Sequence, residues 1–211
     1  MTPRRPKVPR APRQPLSLRD SDLVTVIGPL WRVHRSSGPH VLAWNQLRRY
    51  GPVAHMRYDP HTPGPARLHP GFGVTYAAPD LTTALAEGFA TTRVIDVTAG
   101  APHATAWTPS RPLELLDLGG QWPIRNGAAA ALTAANRSVC RAWAHAIHAQ
   151  LQPLDGLLAP STMTGRPIIV LWEQSQDSFP TSPVFSRPLS YPLVWGLVKH
   201  SAEAIGYTIT A

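Results

Sequence analysis

A chain of 211 residues suits one domain, and a hydrophobic share of 43% is enough for a packed core. The net charge of +8 is concentrated in residues 1–19, where Arg4, Arg5, Lys7, Arg10, Arg13 and Arg19 meet no acid, so a body that is basic throughout is excluded. No run approaches the roughly 18 apolar residues of a membrane span, and the single cysteine, Cys140, excludes an internal disulfide and a structural metal site built from thiolates.

In chain order, residues 1–20 read as a basic, proline-rich tail that stays solvated and disordered, and 21–211 as the folded domain. The tail has no apolar stretch behind it, as a secretory leader requires, and with one thiol the chain is expected in a reducing cytoplasm. Leu23–Ile27 is a short apolar stretch, and Leu30-Trp31-Arg32-Val33-His34 alternates as a half-buried strand does. Residues 35–72, rich in Gly, Pro, His and Arg, read mainly as loop. Gly73–Ala78 forms a short strand ended by Pro79, and Asp80 caps a helix over 81–90 with Leu81, Ala84, Leu85 and Phe89 on its apolar face. Strands follow at Arg93–Thr98, His103–Thr108 and Leu113–Leu118, and Ala128–Leu151 is the clearest helix. Pro167–Glu173 is an apolar, interior strand, 175–191 a Pro/Ser loop, 192–205 a last helix and Tyr207–Thr210 a last strand. Short strands with interspersed helices and no regular βαβ alternation indicate an α+β single domain with a mixed, largely antiparallel sheet and flanking helices.

The nucleotide motifs with a physical mechanism are missing. There is no GxxxxGK[ST] and no GxGxxG, which argues against a P-loop or a Rossmann site. HExxH and paired CxxC are absent too, and the histidines scatter through loop-like segments, so no metal is expected. A few polar residues instead stand where the local pattern has little need of them. Arg32 interrupts an apolar strand. Tyr76 closes a strand before Pro79-Asp80. Glu87 sits on a helix with little other charge, and Ser161 follows Asp155-Gly156-Leu157-Leu158-Ala159-Pro160.

Five segments in order, Leu-Trp-Arg-Val at 30–33, Arg-Tyr-Asp-Pro at 57–60, Val-Thr-Tyr-Ala-Ala-Pro-Asp at 74–80, Thr-Ala-Leu-Ala-Glu at 83–87 and Asp-Gly-Leu-Leu-Ala-Pro-Ser at 155–161, resemble the RES domain, a family named for its Arg, Glu and Ser. The resemblance implies a fold similar to the ADP-ribosyltransferase toxins and the activity of a toxin that consumes NAD by phosphorolysis or hydrolysis. It also implies an Xre-like helix-turn-helix antitoxin as partner, and it leaves room for a homo-oligomer. Carried onto this chain, Glu87, Arg32 and Ser161 form the catalytic set, and Arg32, Arg57, Tyr58, Tyr76 and Ser161 hold NAD, with inorganic phosphate as a candidate co-substrate. The chain departs from the family's pattern at Met56, where Gly is usual, and at Asp59, where Asn is usual. Arg67, in a stretch longer than usual, competes with Arg57 for the second substrate arginine.

These residue types suit that chemistry. Arginine forks bind pyrophosphate oxygens bidentately, and an aromatic face such as Tyr76 attracts the cationic nicotinamide ring by about 0.5–2 kcal/mol. Cleavage develops positive charge on the ribose, which a nearby carboxylate, Glu87, stabilises. Nicotinamide leaves neutral and needs no general acid, and Ser161, without a base beside it, is a hydrogen-bonding residue rather than a nucleophile. Two alternatives compete: transfer of ADP-ribose to a macromolecular target, and a non-catalytic module that binds nucleic acid through residues 1–19. The near-neutral body argues against the latter as the main role.

Overall fold

A computed structural model describes residues 6–151 and 153–211. In chain order the elements are β1 (Leu23–Val26), β2 (Leu30–Arg35), β3 (Tyr50–Gly51), β4 (Arg67–Leu68), β5 (Val74–Ala77), α1 (Leu81–Gly88), β6 (Val94–Asp96), β7 (Pro102–Trp107) and β8 (Leu113–Asp117). There follow α2 (Trp122–Arg125), α3 (Arg137–Gln150), β9 (Gly156–Pro160), β10 (Pro167–Trp172), β11 (Phe185–Pro188), α4 (Pro192–Ile205) and β12 (Thr208–Thr210). A five-stranded sheet in the order β1-β8-β9-β10-β5 faces a three-stranded sheet in the order β11-β7-β2. All pairs in these two sheets are antiparallel except β8 with β9. The fold is therefore the α+β architecture expected, with a mixed, largely antiparallel arrangement.

The apolar pattern explains the layers. In β10, Ile168, Val170 and Trp172 point into one core, closed by Trp143, Ala144 and Ile147 of α3. Ile169 and Leu171 point the other way, into a core shared with Leu30 of β2 and Trp107 of β7. A strand buried on both faces has to be apolar throughout, as β10 is. On the far side of the small sheet, Trp31, Val33 and Ala104 pack against Leu85 of α1 and Val194 and Val198 of α4. The order across the molecule is thus α3, large sheet, small sheet, then α1 with α4.

The structure corrects several expected boundaries. The helix expected over 128–151 begins only at Arg137. Asn136 accepts a hydrogen bond from Ser138 N–H (3.0 Å) and caps it, while Ala130–Ala134 forms a 3-10 turn and Ala135 is extended. Gly156–Pro160 is a strand, with Gly156 against Leu171 and Leu115. Gly156 has φ +155°, and a Cβ there would overlap the carbonyl of Val170, so only glycine lets the two strands meet. The loops expected at 35–72 and 175–191 contain the β3–β4 pair, a 3-10 turn at Glu173–Ser178 and β11.

The tail differs most from its expectation. Its residues 1–5 lie outside the described residues, but 6–19 lie along α2 and α3. The indole N–H of Trp143 donates to Pro9 O (2.9 Å), and that of Trp122 to Ser17 O (2.8 Å). Val8 and Leu16 pack on the core beneath. Composition reports only that this arm has few apolar groups of its own; its anchors belong to residues more than a hundred positions away.

Candidate active site

The edge strands of the two sheets meet at a backbone bridge, with Trp31 N–H donating to Ala78 O (2.7 Å) and Ala78 N–H to Trp31 O (2.8 Å). Beyond that junction the sheets part, and α1 and the turn after β9 close the opening into a cavity of about 730 Å³. That is within the range of about 300–1,000 Å³ typical of small-molecule sites.

Glu87 lies on its wall. Asp80 fixes the start of α1 by accepting from Thr83 N–H (2.8 Å), while Leu81 and Leu85 turn into the core with α4. This leaves Ala84, Glu87 and Gly88, at helical spacing, toward the cavity. The Ser161 hydroxyl donates to Glu87 Oε1 at 2.5 Å and accepts from the N–H groups of Met163 (3.0 Å) and Thr164 (3.1 Å). Ser161 is only 3% exposed. Contrary to the expectation that no base stands beside it, Ser161 directs its proton at the Glu87 carboxylate, while two backbone N–H groups occupy the lone pairs of its oxygen, and the arrangement holds Glu87 in place.

Arg32 and Arg57 both line the cavity. Arg32 Nη1 donates to the carbonyls of Trp44 (2.7 Å), Gln46 (3.1 Å) and Ala43 (3.3 Å), and so latches the 43–46 segment. Burial lowers its pKa from 12.5 to about 10, which leaves it charged at neutral pH. Arg57 Nη1 donates to Ala135 O (2.5 Å) and lies 3.5 Å from Cys140 Sγ. Arg67, its rival in the sequence, is exposed on β4 and is not part of the cavity wall.

Tyr76 lines the cavity from β5, and its hydroxyl accepts from the backbone N–H of Tyr58 (3.2 Å). Burial raises its pKa, against the opposing charge of Arg48. Tyr58 does not join the site as expected. It is 1% exposed in the core beneath α3, with its hydroxyl donating to Thr133 O (3.4 Å). Arg57 and Tyr58 are consecutive residues at a bend, where Arg57 lines the cavity and Tyr58 packs into the core.

Sequence reasoning missed Arg48 and Arg137, both on the cavity wall. Arg48 bridges to Val74 of β5 through two backbone hydrogen bonds (2.9 and 3.1 Å), and its Nη2 donates to Asp59 Oδ2 (2.8 Å). Asp59 is fully buried and also accepts from Val53 N–H (2.8 Å) and the ring of His61. Burial pushes its pKa up, but the His61 hydrogen bond, the Arg48 charge and the Val53 N–H outweigh it and hold the carboxyl well below its usual range. Asp59 in place of the family's Asn was a legible signal that a cation lies nearby. Among the described residues no group of three or more His, Cys, Asp or Glu side chains converges as metal ligands do, and no helix is long and apolar enough to cross a membrane.

The RES domain family model matches residues 29–194. Among solved structures the chain is similar to one from the crystal structure of the M. tuberculosis MbcT–MbcA toxin–antitoxin complex. The TM-score is 0.55 at 19% identity, covering 83% of this chain and 91% of that one, so the likeness is one of fold. No curated protein sequence matches.

Proposed function

The chain belongs to the RES domain family, and from that premise and the cavity's geometry we propose that it is a toxin enzyme that cleaves the bond between nicotinamide and ribose in NAD. The observation that carries the reading is the Glu87 carboxylate, held by the buried hydroxyl of Ser161 on the wall of a cavity whose other charged groups are arginines. A fixed carboxylate suits a reaction that develops positive charge, and cationic walls suit a ligand with a pyrophosphate.

In this reading Arg57 and the Nε and Nη2 donors of Arg32 bind the pyrophosphate, and Tyr76 offers its ring to the nicotinamide. The N-glycosidic bond breaks with its electron pair going to nicotinamide, which leaves neutral. Glu87 stabilises the cationic ribose until an oxygen of water or of inorganic phosphate bonds to the same carbon. Ser161 keeps Glu87 in position throughout. The likeness to a chain from a toxin–antitoxin complex supports an antitoxin as this chain's protein partner.

Incubation of the purified chain with NAD, with and without inorganic phosphate, tests the reading. Release of nicotinamide with ADP-ribose identifies hydrolysis, and with ADP-ribose 1″-phosphate identifies phosphorolysis. A stable ADP-ribose adduct on protein or nucleic acid, without either free product, would replace this reading with group transfer.

A further inference from the structure

The N-terminal arm lies ahead of the matched family region, and its described residues do not line the cavity. Its sequence repeats in threes: proline stands at 3, 6, 9, 12 and 15, and a cation follows at 4, 7, 10 and 13. Between residues 7 and 13 the burial follows the same spacing, while Pro6 and Pro15 at the two ends are exposed. Pro9 is buried and Pro12 half-buried against the body, whereas Lys7, Arg10 and Arg13 are all exposed. Bends at 7–8, 10–11 and 13–14, with each intervening proline unbent, keep residues three apart on the same side.

The arm is held by its backbone. The two indole bonds to Pro9 O and Ser17 O are joined by Leu16 N–H to Gln150 Oε1 (2.9 Å) and Ser17 N–H to Asn126 Oδ1 (2.8 Å). The side chains of Lys7, Arg10 and Arg13 take no part in this attachment, and among the described residues none of them has an ion-pair partner. An anchored row of unneutralised cations is a surface already ordered for a polyanion, so less freedom is lost on binding than from a free tail.

From this we infer that the arm is a docking strip for the phosphate backbone of nucleic acid, borne on the same chain as the catalytic domain. The chemistry favours that partner. Val8 and Leu16 are turned into the body, and of the large apolar side chains in the described arm only Leu18 is exposed (38%), a single group too small to anchor the chain in a bilayer. Arginine at two of the three described positions suits phosphate oxygens. The arm has no aromatic residue to stack on a base, so contact is with the backbone and independent of sequence.

Anisotropy titration of the full chain against a labelled 20-base-pair DNA duplex of arbitrary sequence, over 50–200 mM NaCl, tests this. Three phosphate contacts give a log–log salt slope of about −2.7, a loss of about 40-fold in affinity over that range, and cations outside the described residues steepen it. The K7A/R10A/R13A variant is expected to keep its melting temperature and nicotinamide release while its slope flattens by about 2.7. A Glu87→Gln chain should bind the duplex as wild type does, which separates this inference from the proposed enzyme activity. Unchanged affinity and slope in the triple variant would overturn the proposal. So would arm-dependent binding to vesicles containing phosphatidylserine with none to the duplex.

Discussion

Replacing Ser161 with alanine removes the joint between α1 and the turn after β9. Three hydrogen bonds meet at its hydroxyl: the 2.5 Å bond to Glu87 and the two from the N–H groups of Met163 and Thr164. A bond to a charged group contributes about 1.5–3 kcal/mol, and each buried N–H left without an acceptor costs about 1–3 kcal/mol before relaxation. Because the turn can shift toward solvent, the net loss is expected near 2–4 kcal/mol, a fall in melting temperature of roughly 4–16 °C for a chain of this size. Release of Glu87 from its position should lower kcat about 10- to 100-fold, equivalent to about 1.4–2.7 kcal/mol at the transition state. The assay is a double-mutant cycle with Glu87→Ala, read by thermal unfolding and by nicotinamide release. Coupling of about 1.5 kcal/mol or more is expected. Coupling below about 0.5 kcal/mol, with turnover in Ser161→Ala undiminished, would refute the view that Ser161 acts through Glu87.

Further outcomes follow from particular contacts. Arg57→Ala should raise KM for NAD at least tenfold, about 1.4 kcal/mol of lost binding, while Arg67→Ala leaves it unchanged; the reverse order in steady-state kinetics would reassign the second substrate arginine. Gly156→Ala should destabilise the fold by about 3 kcal/mol or more, because its Cβ meets a carbonyl and the φ is one that alanine rarely adopts; a denaturation midpoint equal to wild type would contradict the close approach. Burial first, then the charges of Arg32 and His103, lower the pKa of His34 from 6.5 to about 4, against the Arg35 carbonyl. The unfolded chain therefore takes up a proton that the folded chain refuses, and stability should fall as pH drops from 6.5 toward 4. With solvent screening at this partly exposed ring the loss is about 1–2 kcal/mol, and His34→Gln should lessen that slope.

Local pattern carried much of this architecture. The Asp80 cap, the two-faced apolar strand at 167–172 and the alternation around Arg32 each express a neighbour-scale rule, and each appears where expected. The alanine-rich stretch at 128–135 misled because helix propensity hides a cap: Asn136, with its side-chain acceptor, sets the start of α3. Glu87 and Ser161 were identified through the family's motif, but their contact, 74 positions apart in sequence, needed the fold. Arg48 and Arg137 reach the cavity through long-range packing that no local spacing encodes. Tyr58 was misassigned through its neighbour's motif: at the bend of 57–58 Arg57 lines the cavity, while Tyr58 packs in the core with its hydroxyl on Thr133 O. The arm was read from composition alone, and its attachment depends on indoles of α2 and α3 that composition does not register.

In the proposed reaction Glu87 supports cleavage of the nicotinamide–ribose bond. The most direct test of this role is nicotinamide release from NAD by the wild-type chain and by a Glu87→Gln variant whose melting curve shows that it is folded. Steady release by the wild type, and a loss of about 100-fold or more in the variant, close to 2.7 kcal/mol of transition-state stabilisation, is the expected result. Full turnover by the folded variant, or no release by the wild type in the presence of phosphate, would contradict the account.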